Sequence, residues 1–219
     1  MQLVKPSYEI LTSLDGPAIM RTIEAIGRVC YKSEDKITDT SAEKFCRQIM
    51  ARGHLSVIEH ISVSVRFIAN RGFTHELVRH RLAAYSQEST RYCNYSGGVM
   101  FIIPPWEPSI EPGEYRFGMD SPVFCDPDGW IWFEGLLAAE QTYLARLAVG
   151  AAPQKARGSL PIDLKTEIVM TANLREWRHV FSLRCSKAAH PQMRELMISL
   201  AKEFQDAMPV LFNDCEIVE

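Results

Sequence analysis

Between residues 79 and 92 the chain reads Arg79-His80-Arg81-Leu82-Ala83-Ala84-Tyr85-Ser86-Gln87-Glu88-Ser89-Thr90-Arg91-Tyr92. Three arginines, a histidine, two serines and a glutamine within fourteen residues make a poor core and a good set of phosphate ligands, because guanidinium forks and hydroxyls match phosphate oxygens. The string points to a nucleotide or phosphate site. The competing reading of the composition is an arginine-rich loop salt-bridged at the surface. Ser89 has no evident base near it in sequence, so a phosphate ligand is a simpler role for it than a nucleophile. His80 could instead cap a helix end, and His60 and His75 read as structural histidines. Charge placement bears on the choice. The whole chain carries −3 over 219 residues, yet 66–94 holds five arginines against Glu76 and Glu88, and 155–194 holds eight basic residues against Asp163, Glu167 and Glu176. Two basic segments in an otherwise acidic protein suggest convergence on an anion.

Several elements must position these residues. Ile19, Ile23, Ile26 and Val29 recur at helical spacing between Asp15 and Cys30, with Pro17 near the start. Thr40 and Glu43 predict a capping box opening a second helix, which buries Phe45 and Ile49 and stops at Gly53. Ile61, Val63, Val65 and Phe67 alternate with polar residues, the period of a strand with one buried face. Asn70-Arg71-Gly72 turns the chain, and 73–82 reads as a helix that delivers Arg79, His80 and Arg81 into a loop running to Tyr95. Residues 104–129, rich in proline, glycine and acidic side chains, read as an irregular surface insertion. A helix over 130–149, a short strand over 165–171 and helices over 173–184 and 191–208 follow. Arg178 is taken as an ordinary surface residue of the first closing helix; Met193, Leu196, Met197, Leu200 and Phe204 form the core face of the last. Two or three strands among five or more helices, without regular alternation, favour an α+β fold in one domain spanning 1–219.

The spacing of Arg79-His80-Arg81, seven residues, then Ser89-Thr90-Arg91-Tyr92 resembles the signature of the flavin-dependent thymidylate synthases. Gly53-His54-Leu55-Ser56-Val57-Ile58-Glu59-His60 is similar to that family's segment before the strand, and Ala156-Arg157-Gly158-Ser159-Leu160-Pro161 to its Ala-Arg-x-x-Leu-Pro element. Asn173-Leu174-Arg175 resembles its Asn-Leu-Arg helix, with Leu183-Arg184 at the expected distance. The resemblance implies a central, mostly antiparallel sheet packed by helices. It implies an enzyme that methylates dUMP to dTMP without a cysteine nucleophile, taking carbon from 5,10-methylenetetrahydrofolate and reducing equivalents from NADPH through FAD. FAD falls to Ser56, Arg79, His80, Arg81, Gln87, Asn173, Leu174, Arg175 and His179. The segment from Glu76 through Leu77 and Val78 to Arg79, that from Gln87 through Glu88, Ser89 and Thr90 to Arg91, and Arg157 and Arg184 fall to dUMP. Arg184 also takes the catalytic role, since a fixed positive charge at the uracil edge favours the enolate-like form. No metal is expected. The resemblance implies a homotetramer whose active sites combine residues of different chains, with Ser56, the segment from Glu76 to Arg79, and Arg157 crossing over. No Gly-x-Gly-x-x-Gly or P-loop occurs, which accords with a cofactor gripped by side chains. Glu76 stands where the family often has Gln, Cys30 where Ser is frequent, and Ala188 where some members carry His.

The six cysteines form no Cys-x-x-Cys pair, no apolar run is long enough to span a bilayer, and MQLVKPSYEI lacks a signal-peptide pattern. A cytoplasmic protein with reduced thiols and no membrane partner is expected. Two rivals fail on motifs. A cysteine-dependent thymidylate synthase needs a Pro-Cys-His context that none of the six cysteines has. An RNA- or nucleotide-binding module would be less acidic and would carry an RNP-type motif, KH loop or zinc knuckle, so no nucleic-acid partner is expected.

Overall fold

A computed structural model describes residues 1–118 and 122–218. Residues 119–121 of the segment read as an insertion, and residue 219 of the proposed domain, lie outside the described residues. In chain order the first elements are β1 (Gln2–Val4), β2 (Ser7–Ile10), α1 (Gly16–Val29), α2 (Ser41–Ala51), β3 (Ser62–Asn70), α3 (Arg71–Leu77) and β4 (Ala83–Gln87). There follow β5 (Met100–Ile102), β6 (Gly113–Glu114), α4 (Pro127–Ala148), α5 (Pro153–Ala156), β7 (Lys165–Asn173), α6 (Leu174–Arg184), α7 (Pro191–Ala207) and α8 (Pro209–Phe212). The strands form two sheets, ordered β5-β1-β6 and β2-β3-β7-β4. In the first, β1 runs parallel to β5 and antiparallel to β6. In the second, Glu9 meets Arg66 and Leu11 meets Ser64, while Ser64 meets Thr171 and Arg71 meets Ile162. Residue numbers rise on one strand as they fall on its partner, so β2/β3 and β3/β7 are antiparallel. The α+β class with mostly antiparallel sheets packed by helices stands.

Two compact units emerge, one of Met1–Ser7, Phe67–Arg79 and Ser86–Val169, the other of Tyr8–Arg66, His80–Tyr85 and Met170–Glu219. In the first, Leu3 and Phe101 of the small sheet are fully buried with Phe133, Leu136, Leu137 and Tyr143 of α4. The segment read as a surface insertion contributes to this core. Ile110 is fully buried, and the buried Glu107 accepts a hydrogen bond from the Cys125 amide at 3.1 Å. β6 lies inside the same segment, and α4 begins at Pro127, with Asp126 capping it through the Gly129 amide.

In the second unit α1 packs on α2 because Gly27 has no side chain: a Cβ there would stand 2.6 Å from the Phe45 ring. α6 turns Trp177 and Phe181 inward at a spacing of four, where they cluster with Phe204 of α7 and Phe212 of α8 at centroid distances of 5.2–6.0 Å. Trp177 Nε1 also donates to the Val63 carbonyl at 3.1 Å, tying α6 to β3. Truncating any of these rings to alanine should cost about 3–5 kcal/mol. The expected core face of α7 is buried as read.

Three local expectations change. Seven strands, not two or three, occur among the described residues. Those missed are short or, in β4, built from small and polar residues, so their hydrophobic period is too brief to register. Thr40 makes no side-chain cap; Glu43 instead pairs with Arg47 one turn on, at 2.6 Å. The helix read over 73–82 starts at Arg71, because Asn70 Oδ1 accepts from the Phe73 amide at 2.8 Å, and it ends at Leu77. The chain leaves it early to enter β4.

Candidate functional site

Within the second unit the residues around His80 converge. Tyr85 on β4 donates its phenol to the His80 carbonyl at 2.7 Å, holding the turn that leads into the strand. Asn173 caps α6 by accepting from the Glu176 amide at 2.8 Å, and that helix supplies Glu176, His179 and Arg184. Arg184 Nε donates to His80 Nε2 at 2.9 Å, Glu176 Oε1 lies 3.6 Å from His80 Nδ1, and the His179 ring stands edge-on to His80 with centroids 5.7 Å apart. His80 is only 4% exposed. Burial first, then the Arg184 guanidinium and His179, push its pKa down from 6.5 to about 4, so the imidazole is neutral at physiological pH. His80, Glu176 and His179 bring ligand atoms within 4.8 Å of one another, the only such group among the described residues. The Arg184 guanidinium already on Nε2 opposes a cation there.

The same unit carries a cleft of about 410 Å³ walled by Tyr31, Phe45 and Val57, with Ser56 and Arg175 among its polar residues. Gly53 makes it possible: its φ of +69° closes α2 in a left-handed turn that releases the chain into a 3-10 turn over Leu55–His60 and exposes Ser56. Arg175 is held by Glu59 at 2.6 Å. Cys30, one of the departures from the family pattern, also lines this cleft.

The first unit holds the loop after β4. Its amides at Tyr92 and Cys93 bond to the Ser89 carbonyl, and Arg91 N donates to Ser89 Oγ at 3.3 Å. Thr90, 6% exposed, accepts from Arg157 Nη1 at 2.9 Å. Arg157, Thr90, Arg71 and His75 border a cleft of about 380 Å³, and Arg71 Nη1 is buried there without a hydrogen-bond partner. Two arginines at one cleft, one with an unspent donor, suit a phosphate.

Other expected residues sit as follows. Glu88 is engaged with protein: it accepts from the Tyr95 phenol at 2.6 Å and from Lys165 at 3.3 Å, and Lys165 also binds Glu167 at 2.6 Å. Burial and the Glu88 carboxylate raise the Tyr95 pKa, keeping it a donor. Gln87 Nε2 donates to Thr74 at 2.9 Å. Leu77 and Leu174 are fully buried, whereas Arg79, Arg81 and Val78 are exposed and Glu76 is half-buried. Arg178 is no ordinary surface residue: both of its Nη atoms bind Asp214 at 2.6 Å, Nη1 also reaches the Leu211 carbonyl, and its guanidinium lies over the Phe212 ring. It clamps the end of the chain to α6. His60 and His75 are exposed, not built into the core. Sequence reasoning passed over Glu176, Tyr85 and Arg71; only membership in a basic window marked Arg71, and Glu176 had no local signal beyond its place in the first turn of a helix.

The family model described as "Thymidylate synthase complementing protein" matches residues 12–210. A flavin-dependent thymidylate synthase of Mycolicibacterium vanbaalenii is 36% identical over 217 residues, covering 97% of this chain and 85% of that protein. One of Corynebacterium glutamicum is 32% identical, covering 97% and 86%. Among solved structures, a UMP/dUMP methylase, PolB, from Streptomyces cacaoi bound with 5-Br dUMP superposes with a TM-score of 0.76 over 97% of this chain and 96% of that one. At 22% identity that likeness concerns the fold.

Proposed function

This chain belongs to the thymidylate synthase complementing protein family, and we infer that it is a flavin-dependent thymidylate synthase. It methylates dUMP to dTMP with 5,10-methylenetetrahydrofolate as carbon donor and NADPH as reductant. The observation that carries this reading is the similarity to enzymes of that name over nearly the whole chain.

The residues fit FAD: a largely apolar cleft with Ser56 and Arg175 suits a flat ring system, and the exposed Arg79 and Arg81 suit a pyrophosphate. Bound FAD supplies the reducing equivalents that convert the transferred carbon to a methyl group. We assign its hold to Ser56, Arg79, His80, Arg81, Gln87, Asn173, Leu174, Arg175 and His179. Ser89, Arg91 and Arg157 bind the dUMP phosphate, and Glu76 to Arg79, Gln87, Glu88 and Thr90 shape the rest of its site. Glu88 acts by bracing the loop through Tyr95 and Lys165. Arg184 meets the uracil edge, where its fixed charge stabilises the developing enolate and makes the methyl-accepting carbon nucleophilic.

No thiolate is required. Burial raises the Cys46 and Cys185 thiols to about 12 and raises Cys215 as well. We further propose a homotetramer with shared sites, supported by Leu82 and Tyr92, which are 75% and 77% exposed beside the arginine string. A cytoplasmic setting is supported by six unpaired cysteines; among the described residues no helix is long and apolar enough to cross a membrane. In the test, purified protein is assayed for flavin released on denaturation and for dTMP formed from dUMP with methylenetetrahydrofolate and NADPH. A yellow protein whose dTMP output depends on added NADPH is expected; a colourless protein that forms no dTMP after FAD is supplied overturns the reading.

A further inference from the structure

The Arg184–His80 contact dictates a proton position. An arginine Nε–H can only donate, so at 2.9 Å His80 Nε2 must present its lone pair. A neutral imidazole then carries its one proton on Nδ1. Nδ1 faces the Glu176 carboxylate at 3.6 Å, a separation at which a negative charge still favours the proton on the near nitrogen. Glu176 is 6% exposed, unusual for a glutamate. An acidic residue in the first turn of a helix gains its favourable interaction with the helix dipole while solvated, so the dipole alone does not explain a carboxylate buried against an imidazole.

We propose that Glu176 is a positioning residue for Arg184, acting through His80: its carboxylate selects the Nδ1–H tautomer, and the freed Nε2 accepts from Arg184 and fixes the guanidinium's orientation. The proposal rests on the reading of Arg184 as the cation that meets the uracil. A metal ion on His80, Glu176 and His179 is incompatible with this arrangement. Ligation through Nε2 displaces Arg184, and ligation through Nδ1 moves the proton to Nε2, where it confronts the arginine's own N–H.

The test begins with the FAD-loaded parent protein labelled with 15N-histidine, since its six histidines give a resolvable set. At neutral pH the resonance lost in His80→Gln should report the Nδ1–H tautomer; a Nε2–H or doubly protonated His80 overturns the proposal without any Glu176 variant. Glu176→Gln, which keeps the shape and removes the charge, should let both tautomers populate. In that variant kcat should fall roughly tenfold, the low end of what loss of an orienting partner costs a ligating imidazole, with KM for dUMP and FAD content within about twofold of the parent. Arg184→Ala and Arg184→Ala/Glu176→Gln should then have nearly equal kcat, because Glu176 works only through Arg184. Parent-like turnover in Glu176→Gln refutes the proposal. So does stoichiometric zinc binding that shifts the His80 resonance, since the cluster would then be a metal site. A parent that makes no dTMP refutes the enzymatic reading alone, because the tautomers are read without turnover.

Discussion

His80→Gln should remove a specific component of the protein's acid sensitivity. The folded imidazole is held to a pKa of about 4 against an ordinary 6.5, by burial and by the neighbouring Arg184 and His179. The unfolded chain therefore binds more protons between those values. Stability from this residue is full above about pH 6.5 and falls as the pH drops toward 4. With His80 only 4% exposed, solvent screening removes little of the effect, and the linkage relation gives a loss of about 2.5 kcal/mol between about pH 7 and about pH 4.5. Glutamine still offers Arg184 an acceptor oxygen but does not titrate, so the variant should lose that much less over the same interval while all other groups contribute equally to both proteins. Urea unfolding at several pH values and one fixed protein concentration measures the difference, the fixed concentration keeping any subunit dissociation constant. If parent and variant lose stability in parallel, within about 0.5 kcal/mol, the buried neutral imidazole is wrong.

Arg157→Ala should raise the Kd for dUMP roughly tenfold to a hundredfold, the loss of one charge-assisted hydrogen bond worth about 1.5–3 kcal/mol; an unchanged calorimetric Kd removes Arg157 from the phosphate site. Single replacement of each cysteine should leave dTMP formation intact, and a folded variant that binds dUMP and FAD yet makes no dTMP would restore a thiolate mechanism. Arg184→Ala should lower kcat more than dUMP affinity, and Ser89→Ala the reverse. Mixing these two variants under subunit exchange should regenerate activity. Co-purification of differently tagged chains without that recovery counts against shared sites.

What the residues determine by themselves is local. The helical repeat of Met193, Leu196, Met197, Leu200 and Phe204 marked α7, because a 3.6-residue period sustained over several turns has one packing solution. The arginine string from Arg79 to Arg91 pointed through its composition to an anion site, a role that dUMP binding has yet to test, and its spacing, with the Asn173-Leu174-Arg175 and Ala156-Arg157 segments, declared the family. Short strands such as β1, β5 and β6, of two or three residues, stayed illegible because their identity lies in hydrogen bonds to partners far along the chain, such as Leu3 opposite Phe101. The 104–129 segment misled for the same reason: its proline- and glycine-rich composition describes its backbone, while Ile110 and Glu107 are buried by elements elsewhere. Arg178 looked like solvent-facing charge until the chain end brought Asp214 to it. Glu176, His80 and Arg184 make the same point at the site itself. A carboxylate, an imidazole and a guanidinium have ordinary protonation in water, and only burial of His80 beside residues about a hundred positions away makes one of them neutral and assigns its proton to one nitrogen. Desolvation and charge proximity act through space, and no order of residues along a chain states them.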